Sequence, residues 1–349
     1  MEIQRESIFV SALRSFCRMF FAVVGIMLAF ILVSYLYSSL SGTATTIDDR
    51  TKIKYLPDAN NKRELVASTA PVILQLNIHG VIGEPKVLDT DIVQDILVES
   101  RTGTLKNDRV KGILLHMNTP GGTVIDSDNI YQMLMKYKEQ YKVPVFAYVD
   151  GLSASGGMYI MCAADQVYAG PAAVIGSVGI IMGPFFNFFE GLENIGIKSR
   201  TLTKGLDKDM MSPFRPWKEG EDASLKALAD FFYDRFVNLV ATSRPRIDRE
   251  KLVSVYGAQV YDPVAAQNFG YIDVANSSRN ETLLALMKEA NVDPTKPYQV
   301  VTLEEKSEWL STLFNQTSPI VTGKIEHSLD TGSPKIRDQF AYLYQPMEN

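Results

Sequence analysis

Three short apolar segments, two of them followed at once by glycine-rich turns, constrain the fold of this 349-residue chain more than any other feature. They span residues 71–80, 110–118 and 143–149. Between the second and the third, residues 126–141 carry apolar side chains at helical spacing. Strands that are apolar on both faces and alternate with helices are typical of a largely parallel sheet covered on both sides. The pattern therefore predicts an α/β fold.

The glycine-rich turns Thr119–Gly122 and Ser153–Gly157 follow the second and the third segments. In open parallel sheets, functional groups collect just past the carboxyl ends of the strands. The first turn offers backbone N–H groups without side chains in the way, which suits an oxyanion hole. The second places a hydroxyl where two glycines allow close backbone approach. Each turn alone is also what a plain tight turn looks like, but the two together after consecutive strands favour an active site.

The serines of the second turn need a base, because a serine hydroxyl is a poor nucleophile until its proton is removed. The chain has three histidines, His79, His116 and His327, and none has a convincing context downstream of the serines. We interpret His79 and His116 as hydrogen-bonded structural residues. Lys208 follows further along the chain, and a neutral lysine in a pocket that disfavours its charge can act as the base. The sequence favours a serine hydrolase of the Ser–Lys type.

The N-terminal region contains 22 consecutive uncharged residues, 19–40. A helix of that length crosses the ~30 Å hydrocarbon core of a bilayer. Arg5, Arg14 and Arg18 precede the segment, so the positive-inside rule places the N-terminus in the cytoplasm and the remainder across the membrane. A cleaved secretory signal is the alternative. A buried core helix is disfavoured because the segment is apolar on every face.

Composition and charge exclude several classes of protein. A net charge of −5 argues against a nucleic-acid partner. No CxxC, HExxH or spaced His/Cys/Asp cluster is present, so we expect no metal and no cofactor. The two cysteines, Cys17 and Cys162, would lie on opposite sides of the membrane and cannot pair. Cys162 is expected to be a small buried residue.

Four motifs resemble those of the signal peptide peptidase family SppA, also called protease IV, and its relative SohB. In order, they are Thr119–Val124, Ala154–Tyr159, Ile175–Ile180, and Lys208 ahead of Ser212-Pro-Phe. The resemblance covers roughly residues 70–290 and includes one copy of the core, as in the short form of the family. It implies a ClpP/crotonase-like spiral of βαβ units behind an N-terminal transmembrane helix.

The resemblance also implies a role for each site residue. Ser155 matches the nucleophile, Lys208 the general base, and Ser177 a hydroxyl that orients the lysine. Gly122 and Gly156 match the backbone donors of the oxyanion hole. Two assignments have competitors. Ser155 is preferred to Ser153 because it directly precedes Gly-Gly, and Lys208 is preferred to Lys204 because Ser-Pro-Phe follows it. Asp207 and Asp209 flank Lys208 and oppose the loss of its charge unless they point away.

The function that the resemblance implies is a membrane-anchored serine endopeptidase that degrades signal peptides or other membrane-associated peptides. Its location would be the cytoplasmic membrane of a bacterium, with the catalytic domain on the outer, periplasmic side. Family members form ring-shaped homo-oligomers in which adjacent protomers contribute the serine and the lysine. Leu225, Phe232 and Leu239 lie at helical spacing and predict an amphipathic helix at subunit contacts. One isolated chain would then hold Ser155 and Lys208 apart.

The expected organisation follows from these assignments. Residues 1–18 form a cytoplasmic N-terminus, 19–40 the anchor, 41–70 a linker, 71–300 the peptidase domain and 301–349 a tail. Two other functions stay open at this stage. One is a crotonase-type acyl-CoA enzyme, which shares glycine-rich oxyanion loops, and the other is a catalytically silent membrane scaffold on a peptidase fold.

Overall fold

The computed structural model describes residues 8–40, 51–103, 105–305 and 341–343. The chain divides into two compact units, Met1–Asp49 and Arg50–Asn349. In the first unit, helix α1 spans Ile8–Leu40, and its segment Leu13–Val33 is long and apolar enough to cross a membrane. No part of that segment is buried against protein. The predicted anchor thus lies within a helix that begins earlier than the uncharged run, because Arg14 and Arg18 are compatible with helical backbone.

The second unit contains one eight-stranded mixed sheet and one two-stranded sheet. The strands of the unit are β1 (Thr51–Leu56), β2 (Val72–His79), β3 (Val110–Thr119), β4 (Gly121–Thr123), β5 (Val145–Ala154), β6 (Gln166–Ala169), β7 (Val174–Gly176), β8 (Val260–Tyr261), β9 (Gln299–Glu305) and β10 (Ala341–Leu343). Its helices are α2 (Thr90–Thr102), α3 (Val124–Tyr141), α4 (Gly156–Met161), α5 (Phe189–Asn194), α6 (Ala223–Ser243), α7 (Arg249–Lys251), α8 (Pro263–Phe269) and α9 (Arg279–Glu289). A π-helical turn, Leu252–Tyr256, follows α7.

The strand order is β1-β9-β2-β3-β5-β7-β8, with β6 also paired to β5. The pairs β9–β2, β2–β3, β3–β5, β5–β6 and β5–β7 are parallel, and the edge strands β1 and β8 are antiparallel. Strand β4 forms a separate two-stranded antiparallel sheet with β10. The α/β class expected from the apolar segments is confirmed.

Both faces of the central strands are buried, which explains why their sequences are continuously apolar. Leu115 and Met117 of β3 belong to the core that also includes Ile130 and Leu134 of α3. Leu114, on the opposite face of β3, belongs to a smaller core with Leu283, Leu286 and Met287 of α9. The strand that precedes the serines is longer than predicted. Strand β5 continues to Ala154 because its last three residues pair with β7.

The expected linker 41–70 is wrong over residues 51–56, which form the edge strand β1. Lys52 and Lys54 suggested an irregular segment, but every residue of β1 pairs with β9, from Thr51 opposite Glu305 to Leu56 opposite Val300. Residues 41–50 lie outside the described residues. At the other end, β9 extends past the expected domain boundary at 300, and three residues of the expected tail form β10.

Candidate active site

Ser155 lies at the turn between β5 and α4 and holds an unusual backbone conformation. Its φ and ψ are 55° and −115°, in a region that costs a residue other than glycine about 1–3 kcal/mol. Two hydrogen bonds of 3.0 Å fix the turn: the Ser155 N–H donates to the Gly176 carbonyl, and the Tyr159 N–H donates to the Ser155 carbonyl. The residue is 1% exposed. Local strain held by surrounding structure is typical of functional residues.

The two glycine-rich turns meet beside Ser155. A Cβ atom on Gly156 would lie 3.2 Å from the backbone nitrogen of Gly122 and 2.4 Å from Ser127 Oγ. A Cβ on Gly122 would lie 1.9 Å from the carbonyl oxygen of Ile82. Neither position accepts a side chain without a shift of its surroundings, so the backbones of the two turns approach each other directly. This juxtaposition is what a pair of backbone donors in an oxyanion hole requires.

Ser177 directly follows β7, the strand that pairs with the end of β5. Gly176, the last residue of β7, pairs with Ala154, the residue before Ser155. Its φ is also positive, 58°, and its N–H donates to the Gln259 carbonyl at 2.7 Å. Among the described residues, neither the Ser155 hydroxyl nor the Ser177 hydroxyl has a side-chain hydrogen bond. The structure thus brings Ser155, Ser177, Gly122 and Gly156 into one locality at the carboxyl end of the sheet.

Lys208 does not contact these residues. It is exposed in a series of turns between α5 and α6, where its N–H approaches the Gly205 carbonyl at 3.4 Å. Within the described ranges its ammonium has no hydrogen bond or ion pair. One of the two acidic neighbours of Lys208 has another partner, because Asp209 Oδ2 forms an ion pair with Arg215 Nε at 2.7 Å. Hydrogen bonds from Arg215 hold the pKa of Asp209 below its ordinary value.

The competing residues have less suitable surroundings. Ser153 is fully buried, and its hydroxyl points toward Met161 Sδ at 3.6 Å, inside the core. Lys204 is exposed and makes no ion pair in the part of the chain that the structure describes. Both serines are buried, so the hydrogen bond of the Ser153 hydroxyl to Met161, and not burial, favours Ser155. Exposure does not distinguish Lys204 from Lys208.

His79 and His116 lie together on the face of the sheet away from Ser155. His79 Nε2 and His116 Nδ1 lie 2.9 Å apart, and His116 Nε2 lies 3.4 Å from Asp150 Oδ2. Burial lowers the pKa of both rings, and in His116 the neighbouring His79 adds to that effect while Asp150 opposes it. The interpretation of these two residues as hydrogen-bonded histidines is confirmed. His327 lies outside the described residues.

Sequence reasoning missed a network that holds the helix after the nucleophile. Tyr159 of α4 donates from its hydroxyl to Asp128 Oδ1 at 2.7 Å, and Arg235 of α6 donates to both Asp128 oxygens at 2.7 and 2.9 Å. The three residues join α3, α4 and α6. No local pattern could have found them, because they lie 31 and 107 positions apart.

A second missed feature is the strand beside Gly122. Strand β10 pairs antiparallel with β4, with Ala341 opposite Thr123 and Tyr342 opposite Gly122. The sequence had suggested no role for this part of the tail. The pairing shows that the backbone edge of the first glycine-rich turn accepts an extended segment of chain.

The described ranges contain no cluster of three or more His, Cys, Asp or Glu residues suited to a metal ion. Cys162 is buried, as expected, and burial raises the pKa of its thiol to about 12. A thiol with that pKa is almost entirely protonated near neutral pH and is a poor nucleophile. Among the described residues, the candidate nucleophiles are therefore the serine hydroxyls.

Comparisons with known proteins find peptidases among the proteins similar to this chain. Residues 137–293, which include Ser155 and Lys208, match the model of peptidase family S49. A putative signal peptide peptidase SppA of Enterococcus faecium is 29% identical over 277 residues, covering 76% of this chain and 79% of that protein. A putative protease of Methanocaldococcus jannaschii is 32% identical over 187 residues, covering 54% of this chain and 58% of that protein.

Among solved structures, a ClpP1 variant from Listeria monocytogenes aligns with a TM-score of 0.39 and 17% identity, covering 60% of this chain and 94% of that one. The family assignment depends on the sequence matches. The region that carries the strained serine and the lysine, residues 137–293, is similar to peptidase family S49.

Proposed function

We propose that this protein is a membrane-anchored serine endopeptidase in which Ser155 is the nucleophile and Lys208 the general base. The observation that carries the proposal is the strained, buried turn at Ser155 placed against the backbones of Gly122 and Gly156. A hydroxyl next to two closely approaching glycine turns matches the geometry of acyl transfer. The similarity of residues 137–293 to a peptidase family supports the same reaction class.

In the proposed reaction, Ser155 Oγ attacks the carbonyl carbon of a peptide bond while its proton passes to the neutral Nζ of Lys208. The negative charge that develops on the carbonyl oxygen accepts hydrogen bonds from the Gly122 and Gly156 N–H groups. The lysine then gives the proton to the leaving nitrogen, the C–N bond breaks, and an ester to Ser155 remains. Water, deprotonated by Lys208, hydrolyses that ester. Ser177 would accept a hydrogen bond from the lysine and orient it.

The proposed substrates are extended peptides at or in the membrane, with signal peptides as the leading class. The pairing of β10 with β4 supports an extended binding mode, because a peptide in the same position would cross the Gly122 backbone as a strand. Helix α1 supports a membrane location. Its preceding arginines favour a cytoplasmic N-terminus and a catalytic domain on the outer, periplasmic side of a bacterial cytoplasmic membrane.

We further propose that the active enzyme is a homo-oligomer in which Ser155 meets Lys208 of the partner subunit. Within one chain the exposed lysine makes no contact with the buried serine turn. The region around the lysine also leaves large apolar side chains exposed: Phe185, Phe186, Phe188, Ile195, Leu202, Leu206, Phe214 and Trp217. Exposed apolar groups at this density are typical of surfaces that bind another protein.

A fluorophosphonate probe tests the proposed function, because it reacts covalently with an activated serine. The full-length protein in detergent should be labelled, Ser155→Ala should abolish labelling, and Lys208→Ala should reduce its rate by at least about 10²-fold. Ser153→Ala is the matched control and should keep its label. Labelling that survives Ser155→Ala would refute the assignment of the nucleophile. An assembled wild-type protein without any labelling would instead indicate a silent scaffold or an acyl-CoA enzyme.

A further inference from the structure

Arg215 makes an unusually complete set of hydrogen bonds for a residue in an irregular segment. Its Nε donates to Asp209 Oδ2 at 2.7 Å, and its Nη2 donates to Asp209 Oδ1 at 3.1 Å. Nη2 also donates to Glu221 Oε2 at 2.5 Å and to the Asp209 carbonyl at 2.8 Å. Nη1 donates to the Pro216 carbonyl at 2.8 Å. One guanidinium therefore joins three points of the segment that contains Lys208.

The two carboxylates bound by Arg215 differ in their access to water. The Glu221 side chain is 2% exposed, whereas that of Asp209 is 19% exposed. Glu221 Oε1 is buried without a hydrogen-bond partner among the described residues, so its charge depends heavily on Arg215. Asp209 follows Lys208 directly, and the guanidinium occupies both of its oxygens. Hydrogen bonds from Arg215 lower the pKa of both carboxyl groups, which keeps them ionised.

Other hydrogen bonds also hold this segment. Within the turn that carries the lysine, the Met210 N–H donates to the Asp207 carbonyl at 2.9 Å, and the Ser212 N–H donates to the Asp209 carbonyl at 3.1 Å. These bonds are local to the turn. The link from Asp209 to Arg215 joins the turn to the buried Glu221.

We propose that Arg215 is a positioning residue for Lys208, because its guanidinium occupies the adjacent Asp209 carboxylate and ties the lysine turn to the buried Glu221. The inference rests on the proposed role of Lys208 as base. Without Arg215, the Asp209 carboxylate becomes available to the lysine ammonium one residue away. An opposite charge at that distance favours the charged form of lysine, which cannot accept the Ser155 proton. Two other charged groups lie near this pair: Asp207 precedes Lys208 in sequence, and Lys218 lies close enough to Asp209 to help lower its pKa.

The test is the pH dependence of kcat/KM for a fluorogenic peptide, measured on the full-length oligomer with Arg215→Gln. We expect a roughly 10- to 100-fold loss at neutral pH and a shift of the acid limb to higher pH by about one unit. In Arg215→Gln combined with Asp209→Asn, the acid limb should return to the wild-type position. A loss of activity with an unmoved limb, or wild-type kinetics in Arg215→Gln, would overturn the proposal. Arg249→Gln, which alters a surface arginine bound to Asn238, is the matched control and should leave the profile unchanged.

Arg215→Lys keeps the positive charge. It tests the positioning role of Arg215 if Arg215→Gln does not assemble. A lysine has one compact ammonium and cannot bridge both carboxylates as the planar guanidinium does. The buried Glu221 should take that ammonium, which leaves Asp209 facing Lys208 and moves the acid limb in the same direction. An unmoved limb in Arg215→Lys would refute the inference. Absence of Ser155-dependent turnover in the wild type would instead refute the proposed function.

Discussion

At the scale of single residues, Gly156 has the most demanding surroundings of the candidate site. A side chain at this position meets Ser127 Oγ and the Gly122 nitrogen, and Ser127 is itself fully buried with its hydroxyl donating to the Thr123 carbonyl at 2.7 Å. Neither neighbour can move without disturbing the other glycine-rich turn. Gly156 is thus required by the close approach of two backbones, whereas its φ is helical and any residue could adopt it.

Gly156→Ala should lower kcat/KM by on the order of 10²- to 10³-fold, because the added methyl group displaces a proposed oxyanion donor. Steady-state cleavage of a fluorogenic peptide measures the effect, and fluorophosphonate labelling reports on the serine itself. Gly191→Ala is the matched control, since a Cβ at Gly191 has no atom within 4 Å. Wild-type turnover in Gly156→Ala would exclude this backbone from the oxyanion hole.

The candidate site was predictable from sequence where it depends on adjacent strands. Ser155 and Gly122 follow neighbouring parallel strands, and such strand ends must meet at one edge of the sheet. Ser177 follows β7, which pairs with the end of β5. No such rule placed Lys208, because it lies in turns that follow no strand and have no helical or strand periodicity. The resemblance gave its identity, and its partner in space remains a prediction.

At the scale of secondary structure elements, the strands predicted from continuous apolar sequence are present, and the edge strands were missed. Strand β1 alternates exposed lysines with more buried neighbours, which is the pattern of a half-buried edge strand. It pairs with residues about 250 positions later, so its partner could not be inferred locally. Strand β10 has the same difficulty, since it pairs with β4, which lies far earlier in the chain.

The strand ends on the face away from Ser155 carry a pH-dependent element. Burial lowers the pKa of His79 and His116 in the folded chain, so the unfolded chain binds more protons near the ordinary histidine pKa of ~6.5. The histidine contribution to the free energy of unfolding is therefore present above that pKa and is lost as the pH falls through it.

His116→Asn should weaken the dependence of the melting temperature on pH between about pH 5 and 7.5. The variant lacks the buried histidine whose protonation is influenced by His79 and Asp150. Thermal unfolding of the full-length protein in detergent measures the slope. His79→Asn should have a smaller effect, since it contacts His116 but not Asp150. A slope identical to that of the wild type in both variants would contradict this assignment.

At the scale of the whole molecule, the distribution of apolar surface supports the proposed homo-oligomer. Only the C-terminal part of α6 is buried, at Phe236, Val237 and Val240, whereas Phe231 nearer its start is 60% exposed. The predicted amphipathic helix is confirmed as a helix. Its uncovered part and the segment around Lys208, in which Leu206 is 94% exposed, leave large apolar side chains in solvent within a single chain.

Mixing two inactive variants tests the shared site directly. Ser155→Ala and Lys208→Ala should each be inactive alone, and co-expressed chains should recover about a quarter of wild-type activity if each site joins two neighbouring protomers at random in a closed ring. Recovery needs mixed assembly, so proteins purified separately and combined without exchange serve as the control. No recovery from verified mixed oligomers would place serine and lysine in the same chain.

The positive φ at Ser155 means that the energetic cost of this conformation is met during folding and not during the reaction. Folding already imposes this conformation, which the hydrogen bonds with Gly176 and Tyr159 hold, so the backbone of the proposed nucleophile does not have to change when a peptide arrives. Reorganisation at the moment of bond cleavage is correspondingly small. The folded protein is slightly less stable as a result, and the proposed reaction centre does not have to rearrange during the reaction.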